Sequence, residues 1–156
     1  MSKSIKQEFI DSINDCELIY DPYKHIICDK IFCEKSYKSL LSEFPNNQSF
    51  GTDINKNNFM ICLGPKELGD NQQSYMELMN YICSKDFFLS MINKLNLEET
   101  ISNKLKLDIS NITIGVEGQK YEQQSDFILD CRLGINTPNN RLSSVRDAHI
   151  DATKVL

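Results

Sequence analysis

Histidine is scarce in this sequence: its 156 residues hold two, His25 and His149. Imidazole chemistry is therefore confined to two places. Cys16, Cys28, Cys33, Cys62, Cys83 and Cys131 form no C-x-x-C pair and no zinc-ribbon spacing, which removes the common thiolate zinc sites. Gly115-Val116-Glu117-Gly118 lacks the Lys-Ser/Thr ending of a phosphate-binding loop, and a hairpin or bulge is expected there instead. Basic residues are outnumbered, giving a net charge of -5. That argues against a broad phosphate-binding surface, so no nucleic-acid partner is expected. No apolar run is long enough to cross a bilayer, and Met1-Ser2-Lys3-Ser4-Ile5-Lys6-Gln7-Glu8 has no apolar signal core. These absences predict a cytoplasmic protein with free thiols and no membrane partner. The sequons Asn47-Gln48-Ser49 and Asn111-Ile112-Thr113 then mark surface polarity alone.

What is present suits a single domain. Hydrophobic residues make up 40% of the chain and charged residues 25%, enough apolar material at this length for a sizeable core. Ile5, Phe9, Ile13 and Leu18 are spaced close to one helical face, and the spacing predicts a helix from Ser4 to Ile19 that Asp21-Pro22 breaks. A short strand follows at Tyr23 to Cys28. Tyr37, Leu40, Leu41 and Phe44 predict a second helix, stopped by Pro45. After a polar loop over 46–58, the run Phe59 to Leu63 reads as a strand ended by Gly64-Pro65. Between Asn71 and Leu97 two helical faces follow one another, with a break near Cys83 and Ser84 as N-cap. From Lys104 the pattern turns extended: Leu105, Leu107 and Ile109 alternate with polar residues, as do Ile112, Ile114 and Val116. Phe127 to Ile135 reads as one long buried strand, and Thr137-Pro138-Asn139-Asn140 as a turn.

Near the end of the sequence stands His149-Ile150-Asp151. In an extended segment side chains alternate, so the imidazole and the carboxylate project from one face. They would supply two thirds of a 2-His-1-carboxylate triad, the arrangement that leaves positions on Fe(II) open. A short motif of this kind is weak alone. Its flanks add to it. Ser143-Ser144-Val145-Arg146-Asp147-Ala148-His149-Ile150-Asp151-Ala152-Thr153-Lys154-Val155-Leu156, preceded by Leu133-Gly134-Ile135-Asn136-Thr137-Pro138, resembles the metal-binding segment of Fe(II)/2-oxoglutarate-dependent oxygenases, more narrowly the prolyl-hydroxylase-like branch. The run from Asp21 to Pro45 is similar to the strand-helix element that precedes the barrel in those proteins.

The resemblance implies an α+β chain in which N-terminal helices pack on a partial double-stranded β-helix, or jelly roll, lacking its C-terminal strands. A single domain over 1–156 is expected, mainly helical with short strands over 1–103 and forming the β-rich start of the barrel over 104–156. The resemblance makes His149 and Asp151 ligands of Fe(II) and 2-oxoglutarate the co-substrate, oxidatively decarboxylated by O₂ to succinate as a substrate C–H bond is hydroxylated. Arg146 either reaches a co-substrate carboxylate, anchors the strand, or makes a surface ion pair. Arg132 and Arg141 face either the mouth of the site or solvent, and Cys131 is read as a small core residue.

In that family the second iron-binding histidine and the basic residue that pairs with 2-oxoglutarate lie well downstream of H-x-D. His25 is upstream and is read as a packed or surface residue. A jelly roll has eight strands, and six more of about 5 residues with short loops need roughly 50 to 70 residues. The expectation is thus an oxygenase fragment that is inactive alone. Its unfinished sheet edge would favour self-association or a partner chain. The alternative is a non-catalytic β-sheet interaction module completed by another chain. The substrate class, small molecule or side chain, stays open.

Overall fold

Ser4 has the extended backbone of an N-cap, and its hydroxyl accepts a hydrogen bond from the Gln7 amide at 3.2 Å. Helix α1 then runs Ile5–Asp15. In this computed structural model the described residues are 3–46, 60–116 and 124–136. The helix expected to reach Ile19 ends four residues earlier, at Asp15, because Cys16 turns extended. Leu18–Ile19 is instead strand β1, paired antiparallel with β2, His25–Ile26, in the register Leu18 to Ile26 and Ile19 to His25. The apolar spacing that suggested a longer helix counted Leu18, a strand residue, as part of the helical face.

A second correction concerns the thiols. Cys16 and Cys28 stand two positions beyond the paired residues in the same register, and a disulfide joins them across a Cα separation of 5.8 Å. Cys33, Cys83 and Cys131 are free. The expectation of free cysteines failed here because sequence separation said nothing about a hairpin that lays the two side by side.

Helix α2, Glu34–Glu43, is tied down at both ends by carboxylates. Glu8 on α1 accepts from the Cys33 amide at 3.0 Å and from the Ser36 hydroxyl at 2.8 Å. Ser36 is the buried polar residue of this joint, and its hydroxyl has the partner that burial demands. These hydrogen bonds, the Cys33 amide first and Ser36 next, hold the Glu8 carboxyl below the ordinary glutamate range. At the other end Glu43 accepts from the Ser74 amide at 2.8 Å and the Ser74 hydroxyl at 2.6 Å, fixing the start of α3, Gln73–Ile82.

The expected break near Cys83 is present. Cys83 closes α3, Ser84 takes an extended backbone, and its hydroxyl accepts from the Phe87 amide at 3.2 Å to start α4, Lys85–Lys94. Helix α5 follows at Glu98–Leu105 and ends on Lys106, whose φ of 57° is left-handed. This helix was not expected, and it overturns the extended reading of Leu105 to Ile109. Their alternation arises from a helix end, a left-handed cap and a 3-10 turn at Ile109–Asn111. Three different local structures imitate one period.

The remaining strands are β3 (Met60–Leu63), β4 (Ile114–Val116), β5 (Phe127–Leu129) and β6 (Leu133–Asn136). β3 pairs antiparallel with β6, while β4 pairs parallel with β5. The single strand expected from Phe127 to Ile135 is therefore two, split at 130–132, each joined to a different neighbour. Gly115 and Val116 lie within β4, which corrects their assignment to a hairpin or bulge; a parallel pair needs a longer crossover than a tight turn. Residues 117–123 and the turn expected at 137–140 lie outside the described residues. The architecture is α+β, five helices with short strands in two-stranded ladders among the described residues. No helix among the described residues is long and apolar enough to cross a membrane.

Two apolar clusters hold these pieces. Leu63, Leu68 and Met79 are buried together, with Tyr75, Met76, Cys131 and Leu133 against them. This places the β3–β6 ladder on α3. Ile92, Ile101 and Ile112 form the other cluster, with Phe88, Leu105, Ile114 and Phe127 packed around it. It joins α4 and α5 to the β4–β5 ladder.

Candidate functional site

The segment that carries the expected chemistry begins after β6. Arg146, His149 and Asp151, together with Asp147 and Arg141, lie outside the described residues. The structure therefore gives the approach to them. β6 is paired along its length with β3, Leu133 opposite Leu63 and Asn136 opposite Met60. Leu63 is buried and Leu133 packs on the same cluster as Met79, so the face toward α3 is fixed. A one-residue slip would turn Leu133 to solvent. Asn136, the last residue of β6, thus leaves a strand of defined register.

Just before β6 the chain bends at Asp130, Cys131 and Arg132. The Arg132 Nε lies 2.8 Å from the Asp130 carboxylate, with both side chains nearly half exposed. Arg132 is accordingly a surface ion-pair residue, one of the two placements expected for it. Cys131 points the other way, into the α3 cluster. Burial, then the nearby Cys83 and Asp130, pushes its thiol up to about 11. The Cys83 thiol is likewise raised, first by burial. Thiols held this way are poor nucleophiles at neutral pH, in keeping with the expected packing role of Cys131.

His25 sits on β2. Its Nδ1–H donates to the Tyr23 carbonyl at 2.8 Å, and its ring tilts against the Tyr23 ring at 5.2 Å. Those contacts tie the imidazole to its own hairpin. Among the described residues, no group of three or more His, Cys, Asp and Glu side chains is placed to hold a metal ion.

An open cleft of about 680 Å³ lies where α4, α5 and the 3-10 turn meet, lined by Leu89, Ile92, Ile109, Glu98, Asp108 and Ser110 among others. Nothing in the sequence marked it, because its parts come from three separate elements. Asp108 spends its carboxylate locally, accepting from the Ser110 amide at 3.0 Å, the Ser110 hydroxyl at 2.7 Å and Asn111 Nδ2 at 2.7 Å. These bonds, Ser110 first, hold its carboxyl below the ordinary aspartate range. This is the chemistry of a turn cap.

Comparisons with protein-family models, with curated proteins and with solved structures find no significant match to this chain.

Proposed function

We propose that this chain belongs to an Fe(II)- and 2-oxoglutarate-dependent oxygenase, with His149 and Asp151 as two of the iron ligands. The observation that carries the reading is the sequence itself: H-x-D with Arg146 ahead of it and a Lys-containing apolar run behind it. Its support from the fold is limited to order. The five helices all precede β4, β5 and β6, with β1 to β3 interspersed among them, and the 12 residues Thr137 to Ala148 lie between the end of β6 and His149. In the proposed architecture the β3–β6 ladder opens a double-stranded β-helix, and the helices cover it.

The donor chemistry fits in part. An imidazole nitrogen and a carboxylate oxygen suit Fe(II), and the triad needs one imidazole more. The family's second iron-binding histidine lies downstream of H-x-D, whereas His25 lies upstream of it, on the β1–β2 hairpin, so the reading takes the second imidazole from another segment or another chain. When bound, iron with 2-oxoglutarate and O₂ would supply oxidative decarboxylation to succinate and CO₂ coupled to hydroxylation of a C–H bond, one oxygen atom going to succinate and the other to the hydroxylated product. The work left to this chain is to hold two ligands on one face of an extended segment, with Arg146 as the candidate partner for a co-substrate carboxylate.

Anaerobic titration of Fe(II) into the full chain tests the assignment. Binding is expected to be weak, since two donors hold the ion against water, and to be lost in His149→Ala. Unchanged affinity in that variant would place the metal elsewhere and remove the oxygenase reading. A second reading is a non-catalytic interaction module completed by another chain. It is favoured by the large apolar side chains that the hairpin and α2 leave exposed, and it predicts no specific iron uptake at all.

A further inference from the structure

The β1–β2 hairpin is built as a two-faced element. Cys16, Leu18, Ile26 and Cys28 are all partly buried, whereas Glu17, Ile19 and Ile27, which alternate with them, are exposed; His25, paired with Ile19 on that outward face, is partly covered and lies against the Tyr23 ring. Alternation of this kind assigns one face to the body of the protein and the other to solvent. The outward side is unusually apolar for its size. Ile27 is 63% exposed, and at the tip Tyr20 and Tyr23 are 63% and 69% exposed. Scattered apolar residues on a surface need no explanation, but several on one short element do.

The element is also held still. The Cys16–Cys28 disulfide closes its base, and Lys24 Nζ donates to the Asn96 carbonyl at 2.6 Å, fastening the tip to the α4–α5 connection. His25 braces Tyr23 by a hydrogen bond and ring contact. A rigid support lowers the entropy lost when exposed aromatics are immobilised in a complex. Tyrosine is enriched among the residues that dominate binding energy.

Charge selects the partner. Asp15, Glu17, Asp21 and Asp29 flank the apolar residues and are exposed. The same stretch holds two lysines, Lys24, which keeps its charge while donating to the Asn96 carbonyl, and Lys30, so its carboxylates outnumber its ammonium groups four to two. A second copy of the chain would bring the same acidic rim and a net charge of -5 to the contact, and nucleic acid would be repelled. A segment with Arg or Lys interleaved with apolar residues complements both parts: cations pair with the rim carboxylates, and a guanidinium can stack on a tyrosine ring.

We infer that the exposed part of the β1–β2 hairpin, with Tyr20 and Tyr23 at its tip and Ile27 on its outer face, is a docking surface for a basic, apolar-containing protein segment. It does not depend on the iron-site reading. Selection of a library of short random peptides on the full chain is the test. Sequences interleaving Arg or Lys with aromatic or aliphatic residues are expected to be enriched. Affinity for a synthesised winner should fall about tenfold or more in Tyr20→Ala/Tyr23→Ala, fall on raising salt, and hold in Tyr37→Ala on α2. Circular dichroism of the double variant should match the parent, since both side chains are exposed. Enrichment of acidic or uncharged sequences, no enrichment, or binding that survives the double substitution overturns the inference. So does self-association of the full chain that the double substitution abolishes, which would assign the face to a second copy.

Discussion

Glu8 shows how much of this fold hangs on single polar side chains. Its carboxylate reaches the N-terminus of α2, where the first helical amides lack partners within the helix, and it also satisfies the buried Ser36 hydroxyl. The hydrogen bonds favour the charged form, so the folded-state pKa lies below the unfolded one. The sign of the linkage follows. The stabilisation is fully present above the ordinary glutamate value of about 4.3 and is lost as pH falls through the lowered folded value. Glu8→Gln keeps the shape and an acceptor oxygen but not the charge. Urea midpoints should therefore show the variant weaker than the parent at neutral pH, with the gap closing toward acid. An equal gap at both extremes would mean that the joint depends on packing and not on ionisation. Nothing in the sequence marks Glu8 for this joint, because its partners lie 25 and 28 positions away.

Among the elements, the legible ones carried their own boundary signals. The α3–α4 break could be read because Ser84 precedes a fresh apolar period and caps it through the Phe87 amide. Helix α5 carries no such signal. Leu97 at its N-cap has no side-chain oxygen, and Ile101 is its buried residue. Its C-cap is a lysine in the left-handed region, where glycine is the usual choice. These features let the end of α5 pass for alternating strand. They also yield a paired prediction. Ser84→Ala should cost about 1 kcal/mol by loss of a cap. Lys106→Gly should stabilise by about 1 kcal/mol, because the left-handed backbone costs an L-residue about that much. Denaturant melts of the two variants check both signs. Destabilisation by Lys106→Gly would mean that its side-chain packing outweighs the backbone cost. Of the hairpin, the second strand was legible within Tyr23 to Cys28, but its partner Leu18–Ile19 was not: a strand of two residues gives no period to detect, and a disulfide pairing depends on the register between the two. The H-x-D segment is the reverse case, a motif plain in the sequence whose residues lie outside those described.

At the scale of the molecule the question is what makes two small cores one structure. The Leu63–Leu68–Met79 cluster rests on α3, and the Ile92–Ile101–Ile112 cluster rests on α4. Between the two helices lie only Cys83 and Ser84. Phe9 on α1 spans that joint. Its ring meets Tyr81 of α3 edge-on at 6.4 Å, Phe87 of α4 at 6.0 Å and Phe32 ahead of α2 at 6.4 Å, while Tyr81 and Phe87 meet each other at 5.5 Å. Lys94 Nζ adds a bond from α4 to the Asn14 carbonyl of α1 at 2.6 Å. Removing the Phe9 ring should thus do two things. It should cost about 3 kcal/mol, the lower end for such truncations since the residue is only partly buried. It should also weaken the coupling between α3 and α4. Ile112→Ala is the control. It removes a side chain 2% exposed from within a single cluster, with a comparable cost of about 2 to 5 kcal/mol, yet leaves the joint alone. In urea, Phe9→Ala should show a shallower slope or separate transitions by tyrosine fluorescence and by circular dichroism, whereas Ile112→Ala should shift the midpoint at constant slope. Coincident, equally steep transitions in both variants would show that the clusters unfold together without the aromatic bridge, and that the β-ladders, rather than α1, carry the cooperativity.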